Sequence, residues 1–301
     1  MRGRLRAAGE RLWFEPASPL GPIAVRTILA AHALWLVLSR PDLPEVPGWP
    51  AEFWRGLDPL MPLRFGIGLF PVAVERVLFA ALHGTLVAAL LGVAPRLACA
   101  LSGVLLYHFA PMEEILVGLL YTSFGGLTLA TLGLFVLAFA PVPRAGGAPS
   151  PEHRWPLSTI RMLLALNYFL PGLLKLRYAG LGWFTAENVR GWILLNYPVN
   201  GAPWALALAG STAACWAIAL GTLALELGFP LVLVSRRAAR VLVPLAFAFH
   251  AGIVWTLGYA FPALPLLLVY VDWDAVAARA GRWLSSGRAA PATGPPARAG
   301  R

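Results

Sequence analysis

Residues 167–183 read NYFLPGLLKLRYAGLGW. The stretch is apolar enough to lie in a bilayer, yet it holds Lys175, the only lysine in the chain. Every other basic side chain counted with it is an arginine. Pro171 has no N–H to offer the carbonyl of Asn167, so a helix is expected to bend there. Gly172 follows at once and lets another backbone come close. The spacing of Tyr168 and Lys175 puts both on one helix face, two turns from each other. An ammonium beside a kink inside an apolar segment is costly unless something uses or pairs it. The plainer reading is a lysine at a helix end, its charge reaching out to lipid headgroups.

The rest of the chain supports the bilayer reading. Hydrophobic residues make up 58% of the 301 residues, charged residues 13%, and mean hydropathy is +0.69. Soluble domains average roughly 25% charged residues, so this is the composition of an integral membrane protein. The net charge of +10 is almost all arginine, concentrated in the ends and loops. There it sets topology and favours anionic lipid. No basic stripe or stacking platform points to a nucleic-acid partner. Cys99 and Cys215 fall toward opposite faces of the expected bundle, too far apart for a disulfide.

The expected fold class is all-α: a polytopic transmembrane bundle of about eight spans with both termini cytoplasmic. Candidate spans are about 22–39, 71–93, 95–111, 114–141, 156–177, 212–234, 238–258 and 259–272. The span 114–141 is long, with Gly125-Gly126 inside it, and reads as a broken helix. The last, FPALPLLLVYV, is short for a crossing of roughly 20 residues. The basic segment 1–21 has no apolar run before Ile23. That run lacks a small-residue cleavage site, so it reads as a first membrane helix. Residues 22–273 form the membrane domain, and 274–301 an Arg/Ala/Pro-rich tail expected to be disordered from about residue 285.

Eight crossings place Arg11, Arg96, Arg144, Arg154, Arg236 and Arg240 on the inner side, with fewer arginines outside, as the positive-inside rule requires. Segments 41–70 and 178–204 then become outer loops carrying interfacial Trp and Tyr. The start of 201–234 reads as lying along the membrane surface before the chain enters it. The Pro/Gly-rich linker 142–155 separates two membrane halves.

Ionisable residues at depth carry the functional reading. Glu226 lies ten residues before Arg236 and His250 ten after Arg240, so both are expected about 15 Å from the inner surface. A Glu226–His250 hydrogen bond would offset the cost of each. His108, Glu113, Glu114, Lys175 and Arg177 fall at the outer end. One reading is a cavity open to the outer leaflet, lined by Lys175, Glu113, Glu114 and His108, with Glu226 and His250 beneath. The other is a set of satisfied contacts that fixes helix register. No nucleophile elbow, triad order or metal-spaced cluster is present, and the histidines show no facing pair suited to haem or copper.

Three stretches in order carry a family resemblance: LNYFLPGLLKL (166–176) followed by Trp183, LALELGFPLVL (223–233), and AFAFHAGIVWTLGYAF (246–261). With VRTIL at 25–29, they resemble the HTTM (horizontally transferred transmembrane) domain, the membrane part of vitamin K-dependent gamma-carboxylases. The resemblance spans about residues 15–273. It implies that Lys175 occupies the position of the base that deprotonates reduced vitamin K. It also implies that His250 matches a family histidine and Glu226 a family acid, and that Tyr168 matches the aromatic before the kink. Trp183, Tyr168 and His108 would then contact the quinol, either reduced vitamin K or menaquinol.

Departures accompany the match. The carboxylases carry two adjacent lysines, and here the first is Leu174. Their outer-loop histidine is replaced by Glu113 or Glu114, and their large lumenal domain has no counterpart. A quinol-handling membrane enzyme with Lys175 as base is the first expectation. A non-enzymatic binder of an outer-leaflet lipid or a partner protein is the second. A transporter lacks the expected internal repeat.

Overall fold

The structure, a computed structural model, describes residues 9–50, 69–118, 126–144, 146–258, 261 and 263–288. Helix α1, Leu20–Leu38, buries Val25, Leu29, Ala33 and Leu36, spaced as one helical stripe facing a core. A 3-10 turn, Leu43–Gly48, leads toward α2, Val72–Leu91, which stops at Gly92 in the left-handed region at φ 77°. Any side chain there would be strained, and its Cβ would lie 2.7 Å from the Arg26 guanidinium. Helix α3, Pro95–Gly118, opens on a proline whose missing N–H is one of the unpaired donors of a first turn. Its Gly103 faces the Phe135 ring on α4, Gly126–Phe139. Arg96 Nε then donates to the carbonyl of Ala140, 2.8 Å away, just beyond α4.

The described residues between 142 and 150 are not helical, and Ser150 pairs with Ala17 through two backbone hydrogen bonds of 3.0 Å. Helix α5, Arg154–Ala179, then runs through Pro171 as one element. A 3-10 turn, Gly180–Phe184, connects it to α6, Ala186–Asn200. Helices α7, Pro203–Gly210, and α8, Thr212–Gly228, meet at a 92° bend. Ser211 makes that bend possible by capping α8, its Oγ accepting from Ala214 N–H. Arg190 on α6 clasps the corner, donating to Ala209 O and Thr212 Oγ1. After Pro230 and one turn, Leu231–Val234, Ser235 caps α9, Arg236–Leu257. A 3-10 stretch, Leu264–Tyr270, and α10, Trp273–Arg288, complete the described chain.

Two apolar clusters hold these elements. The larger joins Leu29, Leu86, Phe109, Leu134, Tyr168, Phe229 and Leu267; the smaller joins Ile193, Ala205, Cys215 and Ala219. Among the described residues four helices are long and apolar enough to cross a membrane, namely α1, α2, α5 with its preceding turn, and α9; α7 and α8 pass the same test only if the bent pair is one span. Large apolar side chains such as Val77, Leu91, Val241 and Trp255 stand exposed on them, as a surface facing lipid requires. The described residues are all-α, and their long apolar helices are compatible with a multi-pass membrane protein.

Several expected boundaries change. Residues 95–111 and the start of 114–141 form one helix, because Pro111 lies within α3 without ending it. The expected span 212–234 is interrupted at Phe229–Pro230. Of the expected span 259–272, the described stretch Leu264–Tyr270 is a 3-10 helix with proline near its start, not an α-helix. It is tied to α5, since Arg161 Nε donates to Val269 O and Tyr270 OH donates to Arg161 O. The presumed outer loop 178–204 is largely the helix α6, and the segment 201–234 starts with the short helix α7 set at 92° to α8. Helix α10 extends to Arg288, past the expected onset of disorder. The rest of the tail, Gly125 and residues 51–68 of the aromatic segment 41–70 lie outside the described residues.

Candidate functional site

Gly172 decides how α5 meets α8. A Cβ at this position would lie 2.9 Å from the Glu226 Cβ and 3.1 Å from Leu227, so only glycine lets the helices approach this closely. One turn along α5, the Lys175 ammonium forms an ion pair with Glu226 Oε1. The same ammonium sits 4.5 Å from the ring centroid of Trp183, a cation–π arrangement that shares its charge with an aromatic face. Lys175 keeps 23% of its side chain exposed and Glu226 11%. The pair is half-sheltered, and one side of the lysine remains open.

On the same face of α5, one turn before Gly172, the Tyr168 ring stacks on Phe229 at 4.1 Å and 22°. Phe229 lies three residues after Glu226, so a single helix end supplies partners to both Lys175 and Tyr168. The Tyr168 hydroxyl lies 2.7 Å from His250 Nε2 on α9. Phe249 and Phe261 flank the imidazole, with ring centroids 5.4 and 4.9 Å away. Glu226 Oε2 and His250 Nδ1 are buried and have no hydrogen-bond partner among the described residues. The arrangement thus offers a cation, a carboxylate with a free oxygen, a phenol and an imidazole in one apolar seam.

Five residues singled out from sequence, Lys175, Glu226, Trp183, Tyr168 and His250, come together here. The pairing differs from the expected one. Glu226 bonds Lys175 rather than His250, and His250 bonds Tyr168. The depth of Glu226 was counted as continuous helix back from Arg236, but the chain breaks at Pro230 and again at Ser235. Glu226 instead lies beside Gly172, eighteen residues along α5 from Arg154, about 27 Å at 1.5 Å per residue.

His108 belongs elsewhere. Its Nε2 lies 2.7 Å from Glu75 Oε2, and Glu75 Oε1 accepts from the N–H of Phe70 at 2.9 Å. Glu75 is fully buried, so the imidazole and the amide together satisfy a carboxylate that would otherwise be prohibitive at this depth. The expected outer cavity joining His108 to Lys175 is therefore not formed by these contacts. Glu113 and Glu114 lie on α3, and their side chains are outside the described residues.

Phe229 and the Glu75–His108 pair were not found by sequence reasoning. An isolated acid in an apolar helix was the signal for Glu75, but its partner lies thirty-three positions away. His83 has a local explanation, its Nδ1 lying 2.8 Å from Phe79 O one turn earlier. No protein-family model matches the chain, and neither a curated protein nor a solved structure is significantly similar to it.

Proposed function

We propose that this is a membrane enzyme that takes a proton from a reduced quinone, reduced vitamin K or menaquinol, with Lys175 as base. The observation that carries the reading is Lys175 held between Glu226 and Trp183 beside the Tyr168–His250 pair. In the resting pair the ammonium is charged and Glu226 is a carboxylate. Transfer of one proton within the pair gives a neutral amine and a carboxylic acid. The quinol O–H bond then breaks, its proton joins the Lys175 amine, and the quinolate oxygen is left facing the new ammonium. Glu226 retains the other proton. Trp183 offers a face on which a quinol ring stacks, while Tyr168 and His250 offer an O–H and a ring nitrogen to its second oxygen. Arginine could not replace Lys175, because a guanidinium does not give up its proton near neutral pH.

In this reading the arginine-rich end of the bundle faces the cytoplasm and the Lys175 end the opposite leaflet. A second reading is favoured by the completeness of the Lys175–Glu226 pair: a non-enzymatic protein binding an outer-leaflet lipid or partner through that cation. The two separate on quinone epoxide formation. Purified protein in lipid receives reduced vitamin K or menaquinol and oxygen, beside Lys175→Arg. Epoxide from the wild type alone supports the base. Absence of epoxide from both, with quinol bound and the protein folded, rejects it in favour of the binder.

A further inference from the structure

Near the other end of α5 lies a cavity of about 480 Å³ that the Lys175 chemistry does not use. Helices α1, α9 and α10 begin at its wall, represented there by Gly21, Arg236 and Trp273, and Arg154 opens α5 where it continues the 3-10 turn Pro151–His153. Ser18, Ser235 and Asp272 each take one N–H at the starts of α1, α9 and α10, so it is chiefly the positive ends of three helix dipoles that converge on one space. Five arginines line it, Arg11, Arg154, Arg161, Arg236 and Arg240, against three carboxylates.

The carboxylates are already engaged or peripheral. Glu15 is taken by Arg154 at 3.3 Å and Arg236 at 2.9 Å. Asp272 accepts from Ala275 N–H to cap α10, leaving Asp274 in its first turn. Arg161 gives one N–H to Val269 O and lies 5.9 Å from the Tyr270 ring centroid. Among the described residues it has no carboxylate within ion-pair distance, and the same is true of Arg240. Donors and positive charge therefore outnumber what the protein supplies to meet them. Leu157, Val232 and Trp273 give the remaining wall an apolar side.

We propose that this cavity binds a phosphate-bearing anion. A phosphate has the acceptors to engage two guanidinium forks and helix N–H groups at once. The volume falls within the range of small-molecule sites. The phosphate belongs either to a lipid headgroup, with its glycerol on the apolar side, or to a soluble phosphoester. Neither source depends on the quinol reading.

The test uses the full-length protein in uncharged detergent, followed by thermal unfolding, with phosphatidylglycerol, inorganic phosphate or diacylglycerol added. A ligand that binds only the folded state raises the unfolding midpoint saturably. Phosphatidylglycerol is expected to do so and diacylglycerol is not. Arg161→Gln and, separately, Arg240→Gln are each expected to weaken the apparent affinity about tenfold, the loss of one charge-assisted hydrogen bond. Arg240 is exposed and makes no ion pair among the described residues, so its variant folds even where Arg161→Gln does not. A shift with inorganic phosphate as well identifies the phosphate group itself as the ligand, and a shift with lipid alone identifies a headgroup. No saturable shift with either probe, or shifts unchanged in the variants that fold, overturns the proposal.

Discussion

The Tyr168 hydroxyl and His250 Nε2 lie 2.7 Å apart, joining α5 to α9 through the interior of the bundle. Both side chains are buried, so neither can exchange this partner for water. Replacing Tyr168 by Phe keeps the stack on Phe229 but leaves a buried ring nitrogen unpaired. The expected cost is about 1–3 kcal/mol, seen as a lower midpoint of thermal unfolding in detergent. A midpoint equal to that of the wild type would show that the contact is not formed in solution.

Lys175 and Glu226 should be strongly non-additive. Removing one partner strands the other's charge, which costs about 3–5 kcal/mol when a pair is fully buried. The exposure remaining on Lys175 reduces that to about 2–3 kcal/mol here. Lys175→Met and Glu226→Leu each destabilise, and the double variant recovers most of the loss. A double-mutant cycle of unfolding midpoints reads the coupling, and additive effects would contradict the ion pair.

Gly172→Ala reverses the usual ranking of helix formers. Alanine is favoured over glycine in a helix by about 1 kcal/mol, yet its Cβ here meets the Glu226 Cβ at 2.9 Å. Overpacking of this kind costs about 1–3 kcal/mol, so the variant is destabilised and its Lys175–Glu226 pair displaced. Gly221→Ala, with no atom within 4 Å of the added methyl, is the matched control and is neutral or slightly stabilising. Equal midpoints for the two variants would remove Gly172 as the contact point of α5 and α8.

Glu45 on the turn before α2 provides a pH test. Its hydrogen bond from Arg76, 2.7 Å long, holds the carboxyl below the ordinary glutamate value of 4.5. A depressed folded value means that the pair contributes stability above 4.5 and loses it as pH falls through the folded value. Because the pair is exposed, its effect is small and screened by salt. Wild type and Glu45→Gln are expected to differ slightly at neutral pH and to converge in acid. A difference that grows as pH falls would have the wrong sign.

The run of long apolar helices was legible because it rests on summed composition, which local irregularities do not disturb. The Tyr168–Lys175 face was legible for a similar reason: helical periodicity places both on one side, and both meet the end of α8. Partner choice was not legible. Glu226 could reach Lys175 or His250 from the sequence alone, and the outcome turned on the break at Pro230 and the close approach at Gly172. The 3-10 stretch Leu264–Tyr270 escaped because hydropathy records apolar residues without recording the path of their backbone. Its carbonyl at Val269 is met by Arg161 from a helix more than a hundred positions earlier.

Glu15 has a consequence for biogenesis. It holds Arg154 and Arg236, 139 and 221 positions further along the chain, while Ala17 pairs with Ser150. During synthesis the amino-terminal arm leaves the ribosome long before any of these residues exist. Helix α1 must therefore form with its arm undocked, and the clasp on Glu15 is complete only when Arg236 has emerged. A chain stalled before Arg236 retains a half-made clasp and an unclosed arginine-rich end.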